Sequence, residues 1–143
     1  MVYYLYIDFV QFNLTKLKGS ETMALLTKAF IAVIAAEHLY ILWVEMFAWT
    51  TTGKRIFTSI DHTLFEKTKG LAANQGLYNG FLSAGLIWSL FIGDPVWASN
   101  IAVFFLLCVV IAGSYGALTS SKSIFFKQAL PALLVLLGVI LIP

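Results

Sequence analysis

Residues 23–49, MALLTKAFIAVIAAEHLYILWVEMFAW, form an apolar run long enough to cross a bilayer as one helix, yet they carry an acid and an imidazole side by side at Glu37 and His38. About 20 residues span the hydrocarbon core. One charged side chain near the centre of such a helix costs roughly 2.5–3.5 kcal/mol on an insertion scale. A chain that keeps both there, and adds Glu45 two turns beyond His38, has to fold so that these groups turn away from lipid. Several helices packed against one another can achieve this; one alone cannot.

Three further apolar stretches supply the partners: 71–92, 96–118 and 124–142. Gly93-Asp94-Pro95 breaks the chain between the second and third, and the polar stretch at 119–123 does so between the third and fourth. Breaks this short force antiparallel neighbours, so the expected fold is all-α, an integral membrane four-helix antiparallel bundle. Composition agrees, with 60% hydrophobic and 11% charged residues in 143 and a mean hydropathy of +0.89. Soluble domains are about a quarter charged. A net charge of +2 without a basic stripe argues against a nucleic-acid partner, and Cys108, the single cysteine, rules out an internal disulfide.

Positive charge sets the orientation. Lys54, Arg55, Lys67, Lys69, Lys122 and Lys127 lie at the two connections that share one side, against Lys16, Lys18 and Lys28 on the other. Both connections are therefore expected in the cytoplasm and both termini outside, as for a multi-pass inner-membrane protein. Trp49, Trp88 and Trp97 near span ends fit an aromatic belt. Within the first connection, Ile56, Phe57, Ile60 and Leu64 recur at near-helical spacing among charged residues, which predicts a short interfacial helix between spans one and two. His62 then falls on its solvated face. Residues 1–22 hold an apolar stretch too short to span and lack signal-peptide features. They read as a leader upstream of a true initiator at Met23 or as an outer interfacial segment, with the membrane domain over 23–143.

At about 100° per residue, His38 and Glu45 share a face of span one, with Glu37 to one side and Tyr40 beyond it. Span two answers with Gln75, Asn79 and Ser83 at four-residue spacing, beside Gly76, Gly80 and Ala84. Small residues at that interval let helix backbones approach closely in lipid, and this face could also seat a second copy of the chain as a homodimer. Counting depth from the span ends predicts a lower layer of Glu45 with Gln75 and Asn74, joined by Ser114, Tyr115 and Gln128. A deeper layer of Glu37 and His38 with Asn79 and Ser83 follows. Amides and hydroxyls in such helices often serve only as interhelical glue, worth about 0.6 kcal/mol each. For Glu37 and His38 the cost of burial exceeds that return, which favours a functional role. Pro131 and Gly138 read as bending and packing residues.

At EHLYILWVEMFAWTT, AANQGLYNGFLSAGLIW, AGSYGALT and KQALPALLVLL the chain resembles the bacterial membrane-protein family called domain of unknown function 1304. The resemblance runs from Met23 onward and implies a small four-span inner-membrane protein; it carries no activity with it. From the residues themselves, the leading expectation is a membrane-embedded site that binds or moves a small ligand or proton through Glu37, His38, Glu45, Gln75, Asn79 and Tyr40. The alternatives are an intramembrane isomerase acting on a lipid-soluble substrate, with Glu37 and His38 shuttling a proton, and a structural or accessory subunit. His38 and Glu45 stand about 10 Å apart along the helix, too far to share a metal ion, and no cofactor motif is present.

Overall fold

The structure, a computed structural model, describes residues 2–141; over 2–23 it describes side chains only at Gln11 and Glu21. Among the described residues all regular structure is helical: α1 (Val2–Phe47), α2 (Lys54–Ile56), α3 (Leu64–Phe91), α4 (Pro95–Thr119) and α5 (Leu130–Leu141). Single π-helical turns at Trp49–Gly53 and Phe125–Ala129 precede α2 and α5. Two segments, Ala24–Phe47 and Pro95–Thr119, are long and apolar enough to cross a membrane. Helix α3 has the length, with 28 residues, but Asn74, Gln75 and Asn79 dilute its apolarity. The apolar stretch Phe125–Leu141 is shorter.

Local chemistry explains the ends. Asp94 caps α4 by accepting from the backbone N–H of Val96 and Trp97, both at 2.9 Å, and Pro95 sits where its missing N–H is harmless. The π turn before α5 lies just ahead of Pro131. Proline has no N–H for the carbonyl of Lys127 four residues back and would crowd it, and the wider turn relieves that conflict. After Phe47 the chain meets Thr50, Thr51 and Thr52, β-branched residues that weaken a helix, and Gly53 donates back to the Ala48 carbonyl across five residues at 2.9 Å.

The long helices pack in chain order, and the last returns to the first. Ser83 pairs with Ala35 while Asn79 pairs with Glu45, so α1 and α3 run antiparallel. Gly113 lies against Ala129 and Gly116 against Ile124, which makes the chain leading into α5 antiparallel to α4. A side chain at Gly113 would sit 2.9 Å from the Ala129 backbone nitrogen. The core joins Ile31, Ile34 and Ala35 of α1 to Leu86, Leu106, Val109, Ala132 and Leu136.

Two expectations are corrected. Phe57 leaves helical geometry, with φ −96° and ψ 63°, so α2 is a single turn and the interfacial helix does not continue through Ile60 and Leu64. Asp61 Oδ1 instead accepts from the Thr63 backbone N–H at 2.8 Å and its hydroxyl at 2.7 Å, a local bond that competes with helix formation. Those two bonds hold the Asp61 carboxyl below the usual aspartate range. Trp49, expected in an aromatic belt, is buried. Its indole N–H donates to Thr68 Oγ1 at 3.1 Å, and its ring packs on Phe57 and Phe65 at centroid distances of 5.2 and 4.9 Å. Trp88 and Trp97 are exposed, at 57% and 63%.

Candidate functional site

The seam between α1 and α3 begins with glycine. A Cβ at Gly76 would lie 3.1 Å from the Leu42 carbonyl oxygen, the Met46 nitrogen and Glu45 Cβ, and one at Gly80 would touch Leu42 at 3.4 Å. The small-residue face expected to seat a second copy therefore seats α1 of the same chain, and of that ladder only Ala84 is exposed. With the backbones this close, short polar side chains reach across. Asn79 Nδ2 donates to Glu45 Oε2 at 2.9 Å and also lies 3.1 Å from the Gln75 carbonyl. Higher up, the fully buried Ser83 donates to the Ala35 carbonyl at 2.8 Å.

Glu45 faces a recess of about 250 Å³ that it shares with Trp49, Ile60, Leu64, Thr68, Leu71, Ala72 and Gln75. One carboxylate, one amide and one hydroxyl project from a mostly apolar wall, and among the described residues no cationic side chain lines it. Trp49 and Thr68, fixed to each other, form its rim. Neither was expected at the site. Tryptophan near a span end reads as a membrane anchor, and only the chain's return at 57–65 folds it inward.

His38 is 2% exposed. Its Nδ1 lies 2.9 Å from the Ile34 carbonyl, which can only accept, so Nδ1 carries a proton and Nε2 is the ring's second polar atom. Glu37 turns to another seam. It lines a groove of about 770 Å³ between α1 and the chain of α5, in which Lys127 is the only other charged side chain among the described residues. The ammonium of Lys127 acts electrostatically on Glu37.

The expected layers are therefore rearranged. Asn79 joins Glu45 rather than Glu37 and His38, while Gln75 stays exposed at the rim of the recess. Glu37 and His38 do not hydrogen-bond each other, so the acid–imidazole pair of the isomerase reading is not assembled. Tyr40 is 51% exposed and packs on Trp43 at 5.9 Å. Tyr115, at 68% exposed, points away from the seam, and Asn74 is exposed as well. Lys127 was readable as a basic residue one turn into the last span. Its placement opposite Glu37 depends on the π turn that contains it.

A family model described as "Protein of unknown function (DUF1304)" matches residues 32–140. The chain is 32% identical over 118 residues to "Uncharacterized protein YpaA" of Lactococcus lactis subsp. lactis (strain IL1403), covering 81% of this chain and 98% of that protein. No solved structure matches.

Proposed function

The chain belongs to the DUF1304 family of proteins of unknown function, and from that premise we propose a four-span inner-membrane protein, an antiparallel four-helix bundle, that binds a small organic cation or a proton at Glu45. Large apolar side chains stand exposed on every long helix: Phe30 and Phe47 on α1, Phe81 and Phe91 on α3, Phe104 and Leu118 on α4, Leu134 and Leu141 on α5. Exposed apolar surface of that extent suits lipid and not water. It extends the membrane reading to α3 and α5, and the α1–α3 seam takes up Asn79 and Ser83. The distribution of Lys and Arg supports cytoplasmic connections at 48–63 and 120–124, with both termini outside.

The observation that carries the reading is the Glu45–Asn79 bond at the wall of an apolar recess without a cationic side chain. A carboxylate removed from water needs hydrogen bonds and a counter-charge. Asn79 supplies one bond, and a cation entering from the side of Lys54 and Arg55 would supply the charge, with Trp49 offering an aromatic wall. Calorimetric titration of the detergent-solubilised full chain with benzylamine at pH 7 tests this. Saturable binding is expected, weaker by about tenfold in Glu45→Gln, the equivalent of one charge-assisted hydrogen bond. Binding that is absent, or is equally tight in the variant, would sink the reading.

A further inference from the structure

The hairpin of α4 and the chain leading into α5 carries unbalanced charge. From residue 95 onward there is no Asp or Glu, and Lys122 and Lys127 are the charged side chains. Lys127 shares its groove with Glu37, but Lys122 lies in another. Packing opens that second groove. Gly113 and Gly116 bring α4 close to Ala129 and Ile124, a Cβ on Gly116 falling 3.3 Å from Ile124. Next to these glycines, Ser114 and Ala117 are too small to fill the space beside the contact. Phe125 and Phe126, edge to face at 5.5 Å, wall it from the other strand of the hairpin. The cavity holds about 450 Å³ and is completed by Leu118 and Lys122, with no acidic side chain lining it among the described residues. Leu118 and Phe126 are 87% and 66% exposed, so it opens outward from the bundle.

Its polarity runs in the order of a bilayer. Lys122 lies in the connection beyond Thr119, where α4 ends, and the apolar wall leads from there into the span. Ser114 is five residues inside Thr119, about 7 Å along the helix. The polar layer on each side of the hydrocarbon core is about 5–7 Å deep. Lys122 therefore stands at the level of lipid phosphates, and Ser114 at the level where ester groups join the acyl chains.

We propose that the α4–α5 groove binds an anionic glycerophospholipid, its phosphate on the Lys122 ammonium, an ester carbonyl at the Ser114 hydroxyl and the start of one acyl chain between Leu118 and Phe126. A net-negative head supplies the charge that the hairpin lacks. A choline head carries the same phosphate but sets its own cation beside Lys122, with no carboxylate in the groove to receive it. A free phosphate ion would leave the apolar walls at Leu118, Phe125 and Phe126 uncovered. The proposal rests on the membrane-spanning reading and is independent of the Glu45 recess.

Native mass spectrometry of the full chain in detergent, offered equal amounts of dioleoyl phosphatidylglycerol and phosphatidylcholine, tests it. The unaltered chain is expected to retain phosphatidylglycerol about fivefold over phosphatidylcholine, the scale of one accessible ion pair. Lys122→Gln is expected to erase that preference, and Lys127→Gln to leave it in place. Ala117→Phe, which fills the groove and keeps the ammonium, is expected to lower phosphatidylglycerol to the level of phosphatidylcholine. Equal retention of the two lipids by the unaltered chain overturns the proposal, as does a preference that survives Lys122→Gln. A preference that survives Ala117→Phe overturns it too, since a bare surface charge would then suffice. Excess inorganic phosphate is expected to leave the lipid bound; displacement would assign the site to the free ion and overturn the lipid. Glu45→Gln is expected to keep the preference while weakening benzylamine, so the two sites fail separately. Recovery of the chain in the soluble fraction of lysed cells would remove both.

Discussion

Helix α1 meets α3 along a closed, hydrogen-bonded seam and meets the chain of α5 along an open one. Against α3, Gly76 and Gly80 bring the backbones close enough for Asn79 and Ser83 to reach across. On the other side, Phe30 and Val33 stand opposite Leu130 and Leu134, and these bulkier side chains leave a groove of about 770 Å³. In lipid, water drives no apolar association between helices, so the smallest residues decide where backbones touch. Polar groups in the close seam find protein partners. In the wide one Glu37 and Lys127 line the same groove, and the ammonium acts on the carboxylate across it.

The comparison breaks most readily at Gly76. Gly76→Leu has to displace backbone atoms of Leu42 and Met46, and is expected to lower stability by about 3 kcal/mol in unfolding titrations of the detergent-solubilised protein. Gly138→Ala, whose added Cβ would lie 3.5 Å from Thr27 Oγ1, is expected to stay within about 0.5 kcal/mol. Equal losses at the two positions would erase the distinction between the seams.

Asn79→Ala sharpens it, since Glu45 loses its amide donor. A loss of about 1–2 kcal/mol is expected in the same titration, against about 0.6 kcal/mol for Ser83→Ala. If Asn79→Ala is neutral, Glu45 does not depend on the seam. The smallest effect lies in the turn before α3. The Asp61 carboxyl is held low by Thr63, so the stability it lends the turn is present above the unfolded-chain aspartate value and is lost as pH falls through its own lower value. The Thr63 amide resonance should move with that low midpoint, and a midpoint at the ordinary aspartate value would show that the bond to Asp61 is not held in solution.

Much of this was legible in the residues. Uninterrupted apolarity bounded by Gly93-Asp94-Pro95 located α4 and the end of α3 to within a residue but placed the start of α3 seven residues late, and the spacing of Gly76 and Gly80 marked the close seam. Glu45 and Asn79 were readable as polar residues turned toward the bundle, but not as partners. Counting depth from the span ends misses the pairing, because α3 starts at Leu64 rather than at 71 and the glycine face sets the register. Placing Glu37 with His38 failed for a geometric reason. Neighbours on a helix diverge by about 100°, enough to send one into the core and the other to a different helix. The connection was misread because apolar spacing cannot show whether Phe57 and Ile60 face lipid or the Trp49 cluster.

The π turn at Phe125–Ala129 behaves as one residue slipped into an otherwise regular spiral. Removing a residue there would let the turn tighten to ordinary pitch and rotate the chain ahead of it by about 100° relative to the chain behind. Lys127 would swing off the groove while Leu134 and Gly138 kept their places. A shortened chain of this kind would remain helical yet carry its last cation on another flank, so length at this point governs where Lys127 faces separately from hydrophobicity.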